Sequence, residues 1–124
     1  MDQRQCILVI EDCRDEREAV RISLEIEGYD VVAFAGGQQA LDYMRRAEQL
    51  PQMILLDLMM RGTNGREFRT EQLGDPRLAP IPVVVCSGDG RIIEKSSALG
   101  IADHLEKPID YGALFAIVAR HCRN

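Results

Sequence analysis

Short apolar runs alternate along the chain with segments of helical periodicity, and this alternation constrains the fold more than any other feature. Four of the runs are rich in branched side chains: CILVI (6–10), DVVAFA (30–35), MILLDL (53–58) and IPVVVCS (81–87). Runs this short and this apolar are typical of strands that are buried on both faces. A weaker fifth strand is predicted at ADHLEK (102–107).

Helices are predicted between and after the strands, over residues 14–27, 37–50, 63–73, 91–99 and 111–122. Gly28 and Pro51 mark helix ends, and Asp110 is a candidate N-cap for the last helix. Apolar residues at three- and four-residue spacing define the predicted inward faces. These faces are Ala19, Ile22, Ser23 and Ile26 in the first helix, Ala40, Met44 and Ala47 in the second, and Leu114, Ile117, Val118 and His121 or Cys122 in the last.

Five strands alternating with five helices predict an α/β fold, with a parallel sheet covered by helices on both faces. The 124 residues (1–124) suit a single domain. A net charge of −5 argues against a general affinity for nucleic acid or an anionic membrane. The apolar runs are far shorter than a membrane span, and the N-terminus has no basic-then-apolar leader pattern. We therefore expect a cytoplasmic protein without membrane insertion.

Polar side chains stand where four of the predicted strands end. Glu11 and Asp12 follow the first strand, Asp57 lies in the third, Ser87 ends the fourth and Lys107 ends the fifth. Taken singly, each has an ordinary structural explanation as a helix cap, a turn residue or a surface lysine. In open α/β sheets, however, the carboxyl ends of the strands meet at one edge, where ligands bind. We therefore expect these five side chains to form one site.

Two features of the sequence support a functional role for the side chains at this edge of the sheet. Asp57 stands inside the apolar run ILLDLMM, where a carboxylate is costly to bury unless a charged group meets it. The chain holds thirteen arginines but only two lysines, Lys95 and Lys107. A compact lysine charge suits contact with a single oxygen atom better than an arginine fork does.

The residue types at this edge indicate a chemistry. Clustered carboxylates repel one another unless a cation is present, and hard oxygen ligands suit Mg²⁺. A carboxylate such as Asp57 can accept a phosphoryl group to form an acyl phosphate. Mg²⁺ and Lys107 would neutralise the phosphoryl oxygens, and the Ser87 hydroxyl would donate a hydrogen bond to one of them.

The whole chain resembles a response-regulator receiver domain, the phospho-acceptor half of two-component signalling. The resemblance rests on an acid pair after the first strand, an aspartate in LLDLMM, a hydroxyl after VVVC and Lys-Pro after the fifth strand. It implies a flavodoxin-like (βα)5 sheet of order 2-1-3-4-5 and a cis Lys107–Pro108 bond. It also implies Mg²⁺ or Mn²⁺ as the cofactor. The implied roles are Asp57 as phospho-acceptor, Asp12 as direct metal ligand, Glu11 as second acid, Met59 as a ligand through its backbone carbonyl, Ser87 as switch hydroxyl and Lys107 as phosphate contact.

The resemblance also implies partners. A sensor histidine kinase or a histidine phosphotransfer protein would supply the phosphoryl group, and a downstream protein target would bind the switched state. The surface that switches would comprise the fourth predicted helix, the fifth strand and the fifth predicted helix, with no direct contact to nucleic acid. Such a protein is a signalling receiver rather than an enzyme, since it assists only its own phosphorylation and dephosphorylation. We expect a stand-alone or phosphorelay-type receiver, with a receiver cut from a longer protein as the alternative.

The sequence departs from the family pattern at four positions. Arg61 stands where a proline is usual, Gly88 where an alanine is common, and Cys13 where another acid or polar residue is frequent. His104 stands three residues before Lys107, where many receivers carry an aromatic residue that turns inward on switching. One hypothesis makes His104 the replacement rotamer switch, with added pH sensitivity near neutrality; the alternative makes it an ordinary imidazole at the rim of the site.

Three other classes of protein compete with the receiver reading. A haloacid-dehalogenase-type phosphatase needs a second acid two residues after its aspartate, and Met59 stands there. A flavin carrier of the same fold needs a phosphate-binding loop after the first strand, but EDCRDE is acidic. A degenerate receiver that binds partners without phosphorylation is the remaining alternative, and the complete set of acids, hydroxyl and lysine argues against it.

Overall fold

The computed structural model describes residues 6–58, 65–91 and 100–122. Within these ranges the chain forms five strands and four helices. In chain order they are β1 (Cys6–Ile10), α1 (Arg14–Ile26), β2 (Asp30–Phe34), α2 (Gly37–Arg46), β3 (Met53–Asp57), α3 (Gly65–Leu73), β4 (Val83–Ser87), β5 (Asp103–Glu106) and α4 (Tyr111–His121). The helix predicted over residues 91–99 lies, from residue 92 onward, outside the described residues.

The five strands pair in parallel in the order β2-β1-β3-β4-β5. The predicted α/β class and the predicted order 2-1-3-4-5 are therefore confirmed. The register aligns the strand ends, because Asp57 of β3 lies beside Cys86 of β4 and Ser87 lies beside Glu106 of β5. The residues that follow β1, β3, β4 and β5 thus emerge at one edge of the sheet. No helix among the described residues is both long enough and apolar enough to cross a membrane.

Alternate residues of the central strands enter two separate apolar cores, one on each face of the sheet. On one face, Leu8, Ile54 and Val83 pack with residues of α2 and α3. On the other, their neighbours Ile7 and Val84 pack with residues of α1 and α4. Both faces of the sheet are therefore buried from water, which explains why the strand sequences are continuously apolar rather than alternating between apolar and polar.

The predicted inward face of α1 is wrong. Val20 and Leu24 are the residues of this helix that are buried, whereas Ile22 is half exposed and Ile26 is 80% exposed. Ala19 is also exposed. Periodicity predicted one apolar stripe, but α1 packs against the sheet through another, formed by Val20 and Leu24. The same helix is also tied to the strand-end edge, because the Arg17 guanidinium donates to the backbone carbonyl of Glu11 at 3.0 Å.

Helix α2 ends earlier than predicted, at Arg46 rather than at residue 50. The Arg77 side chain, from the segment before β4, donates to the carbonyl of Met44 at 3.1 Å and to the carbonyl of Ala47. These carbonyls lie at the helix end, where backbone partners are few, although the Met44 carbonyl also accepts from the amide of Ala47 at 3.3 Å. The Arg77 side chain therefore donates to carbonyls that would accept from backbone amides if α2 continued to residue 50. Ala40 and Met44 are buried as predicted, together with Leu41.

The end signals of α1 and α4 are confirmed. Gly28 has φ +99°, the left-handed conformation that favours glycine. Its amide donates to Glu25 and the amide of Tyr29 donates to Leu24, which together close the helix. At the start of α4 the Asp110 carboxylate accepts from the amide of Gly112 at 2.9 Å. The other strands and helices start or end within about two residues of the predicted limits, as is usual for such boundaries.

Gln72 on α3 anchors the segment between α3 and β4, and its replacement is expected to destabilise the fold. Its buried amide donates to the carbonyls of Leu78 and Ile81 at 3.0 and 3.1 Å. Gln72→Ala leaves both carbonyls without this donor and should lower the free energy of unfolding by about 3 kcal/mol. Urea denaturation measures the loss. Gln38→Ala, which removes an exposed amide on α2, should cost less than about 0.5 kcal/mol. Equal losses in the two variants would contradict the prediction.

Candidate functional site

Three carboxylates converge at the carboxyl edge of the sheet, as the sequence predicts. Glu11 and Asp12 follow β1, and Asp57 is the last residue of β3. Glu11 and Asp57 are only 4% and 2% exposed, and Asp12 is half buried. One oxygen atom from each of the three lies within 4.8 Å of the others. Such a set of hard oxygen donors fits a divalent cation of the Mg²⁺ type.

Lys107 reaches this group from the end of β5. Its Nζ lies 2.7 Å from Glu11 Oε1 and 3.4 Å from Asp57 Oδ2. The backbone holds the lysine in place, because the amide of Lys107 donates to the carbonyl of Ser87 at 2.9 Å. The Lys107–Pro108 bond is cis, which confirms that prediction. A strand-end lysine therefore meets two buried acids that are 96 and 50 residues away along the chain.

The electrostatics of the group reflect burial and crowding. Burial and a hydrogen bond with Asp57 raise the pKa of Glu11 to about 8, against the opposing hydrogen bond from Lys107. For Lys107, burial acts to lower the pKa, but its hydrogen bonds with Glu11 and Glu16 outweigh burial and raise the pKa above its usual value. A divalent cation on these oxygens would favour the ionised form of Glu11.

The Glu16 side chain is a partner of Lys107 that the sequence reasoning missed. Its Oε2 lies 2.7 Å from Lys107 Nζ, as close as the Glu11 contact. The hydrogen bond from Lys107 lowers the pKa of Glu16. Glu16 stands in the first turn of α1, where acids are common because they favour helix N-termini. The first turn of α1 is acidic in the sequence, but no local pattern shows which of its acids faces a lysine 91 residues away.

Ser87 ends β4 and is fully buried. Its Oγ accepts a hydrogen bond from the amide of Asp89 at 3.1 Å, which fixes the start of the following loop. A hydroxyl that accepts one bond retains its own hydrogen for donation. The neighbouring thiol of Cys86 is buried too, and burial raises its pKa to about 12. Cys86 is therefore a core residue rather than a reactive one.

Five further residues were singled out in the sequence: Met59, Arg61, His104, Cys13 and Gly88. Met59 and Arg61 fall outside the described residues. His104 lies on β5 and is exposed, and its backbone amide donates to the Asp103 side chain. Cys13 is exposed at the N-cap of α1, and its amide donates to Glu11 Oε2 at 3.2 Å. Gly88 is exposed directly after Ser87.

The fold and the site together define an α/β domain with a candidate cation site at the carboxyl edge of its sheet, and comparison with known families gives its class. The response regulator receiver domain matches residues 7–119 of the chain. The chain belongs to this family of two-component signalling domains. The predicted family is therefore confirmed.

Individual relatives are similar to this chain over most of its length. An uncharacterized 14.6 kDa protein of Leptolyngbya boryana is 31% identical over 120 residues, which cover 94% of this chain and 88% of that protein. The DNA-binding dual master transcriptional regulator RpaA of Synechocystis sp. is 36% identical over 118 residues, which cover 90% of this chain and 46% of RpaA. This chain thus spans about half the length of RpaA and of several other curated relatives.

Solved structures show the same likeness. The signal receiver domain of a signal transduction histidine kinase from Syntrophus aciditrophicus matches with a TM-score of 0.84 and 27% sequence identity. The match covers 95% of this chain and 89% of that one. Receiver domains thus occur both in transcriptional regulators and in kinases, and family membership by itself does not assign an output.

Proposed function

We propose that this receiver domain accepts a phosphoryl group on Asp57 and, in response, switches a surface that binds a partner protein. The observation that carries the proposal is the contact between Lys107 Nζ and Asp57 Oδ2 at 3.4 Å, beside two further acids. A buried carboxylate next to a lysine charge and a candidate cation site is equipped to hold a phosphoryl group. The donor would be a sensor histidine kinase or a histidine phosphotransfer protein in the cytoplasm.

The proposed cofactor is Mg²⁺ or Mn²⁺. Glu11, Asp12 and Asp57 would hold the ion, with the backbone carbonyl of Met59 as a further ligand by family resemblance. When bound, the ion supplies positive charge that offsets the charge of the phosphoryl oxygens. Because Glu11 and Asp57 are buried among apolar residues, their ligand atoms are held in place before any ion arrives.

The proposed chemistry is a single displacement at phosphorus. An oxygen of the Asp57 carboxylate attacks the phosphorus atom, the bond between phosphorus and the donor nitrogen breaks, and the nitrogen keeps the electron pair and takes up a proton. Asp57 then carries an acyl phosphate. The Lys107 ammonium would donate to one phosphoryl oxygen. The Ser87 hydroxyl, on the strand next to Asp57, would donate to another.

The proposed output surface lies beside this site. It comprises β5 and α4, with His104 on β5 and Tyr111 at the start of α4. By family resemblance it would also include the helix predicted over residues 91–99, of which residues 92–99 lie outside the described residues. Phosphorylation would shift the population between two arrangements of this surface, and a partner responds only if it binds the two differently. The exposed position of His104 on β5 fits both a switching side chain and an ordinary imidazole at the rim of the site.

A small phosphodonor tests the proposal. Incubation of the protein with phosphoramidate and Mg²⁺ should add one phosphoryl group, read by intact mass, and peptide mapping should place it on Asp57. Chelation of the metal should prevent the gain. No gain with Mg²⁺ present would favour a receiver that binds partners without phosphorylation, and a group mapped to another residue would overturn the assignment of Asp57.

A further inference from the structure

Lys107 has more acidic neighbours than the proposed chemistry needs. Its ammonium carries three N–H donors, and three carboxylates surround it: Glu11 and Glu16 at 2.7 Å each and Asp57 at 3.4 Å. The phospho-acceptor is thus the most distant of the three. Before any phosphoryl group arrives, the lysine is held toward the two glutamates.

This inference rests on the function proposed above. We propose that Glu16 is a positioning residue that restrains phosphoryl acceptance by competing for the Lys107 ammonium, which lies closer to Glu16 than to Asp57. Glu11 and Asp57 belong to the group of oxygens that can hold a cation, and Glu16 lies outside that group. A bound cation would take Glu11 as a ligand, but it would not take Glu16 as one. Glu16 therefore remains the acid that competes with a phosphoryl oxygen for Lys107.

The exposure of Glu16 makes its ion pair with Lys107 weak enough to be displaced. Glu16 stands on α1, whereas Lys107 stands at the end of β5, so their ion pair ties a helix to the strand-end edge. The Glu16 side chain is 48% exposed and the Lys107 side chain 18%. An ion pair with one partner in water is weak, so it can give way when a phosphoryl group with greater charge competes for the lysine. The pair restrains the reaction without blocking it.

The test compares Glu16→Gln with a matched control, Glu18→Gln. Glu18 is on the same helix and pairs with Arg21 rather than with Lys107. Its replacement by glutamine removes the same charge without touching Lys107. With phosphoramidate and Mg²⁺, Glu16→Gln should gain its phosphoryl group about two- to fivefold faster than the parent, the range expected for an ion pair of this exposure. Glu18→Gln should match the parent. A Glu16→Gln rate equal to or below that of Glu18→Gln would overturn the proposal.

A second measurement reports on Lys107 without metal or phosphodonor. The chain has two lysines, so limited acylation by acetic anhydride can be read as the ratio of labelled Lys107 to labelled Lys95. Release from Glu16 should raise this ratio about two- to fivefold in Glu16→Gln and leave it unchanged in Glu18→Gln. An unchanged ratio in Glu16→Gln would contradict the proposal that Glu16 holds the Lys107 ammonium.

The two measurements separate the inference from the function on which it rests. If the parent takes up no phosphoryl group, the proposed function fails, and the labelling ratio still decides whether Glu16 holds Lys107. If the parent is phosphorylated and Glu16→Gln is no faster, the proposed function stands and the restraint by Glu16 is wrong.

Discussion

Replacement of Asp57 by asparagine is expected to abolish phosphoryl uptake. The change preserves the shape of a side chain that is 2% exposed and therefore tightly enclosed. It removes the anionic oxygen that would attack phosphorus, and an amide cannot form the acyl phosphate. With phosphoramidate and Mg²⁺, intact mass should show one added phosphoryl group on the parent and none on Asp57→Asn.

Asp42→Asn is the matched control for this experiment. Asp42 is an exposed aspartate on α2 that accepts a hydrogen bond from Gln38 at 3.0 Å, away from the strand-end edge. The same chemical change there should leave uptake at the parent level. If Asp57→Asn still gained a phosphoryl group at the parent rate, another residue would be the acceptor. If Asp42→Asn lost the gain as well, uptake would depend on overall charge rather than on the site.

The metal-free protein is expected to lose stability as the pH rises from about 5 to about 8, because of Glu11. In the folded protein the pKa of Glu11 is raised from its usual 4.5 to about 8. Below the lower value both folded and unfolded chains hold the proton, so the stability is fully present. Between the two values the unfolded chain has lost the proton and the folded chain still binds it, so the free energy of unfolding falls as the pH rises.

The expected size and the control for this pH dependence follow from the same shift. Over the whole window the loss has an upper limit of about 5 kcal/mol, at about 1.4 kcal/mol per pH unit. Urea denaturation with a chelator present, at several pH values in the window, measures the slope. Glu11→Gln should remove most of it, since glutamine does not titrate. Excess Mg²⁺ should also flatten the slope by favouring the ionised carboxylate. The same slope in Glu11→Gln as in the parent would contradict the assignment to Glu11.

Most of the candidate site could be predicted from the sequence, because parallel sheets bring strand ends together. Glu11, Asp57 and Lys107 stand at the ends of recognisable apolar runs, and the structure brings them within hydrogen-bonding reach of one another. The prediction needed only the positions of the strands and the rule that their carboxyl ends meet. Met59 and Arg61 stay predictions, since they lie outside the described residues.

The parts that the sequence could not supply depend on contacts between distant segments. The inward face of α1 was wrong because the helix has apolar residues on two sides, and only packing against the sheet selects Val20 and Leu24. Arg77, about thirty residues away along the chain, donates to carbonyls at the end of α2, a contact that no local pattern predicts. Glu16 is one of several acids near the start of α1, and only the fold shows that it meets Lys107.

The uneven burial of the four thiols gives this protein a natural attachment point for a reporter group. Burial raises the pKa of Cys6, Cys86 and Cys122, which slows their reaction with alkylating reagents. Cys13 is exposed and follows directly after the acid pair. A fluorophore coupled to the unaltered chain would therefore be directed to Cys13, where its emission could follow cation binding at the neighbouring carboxylates in real time.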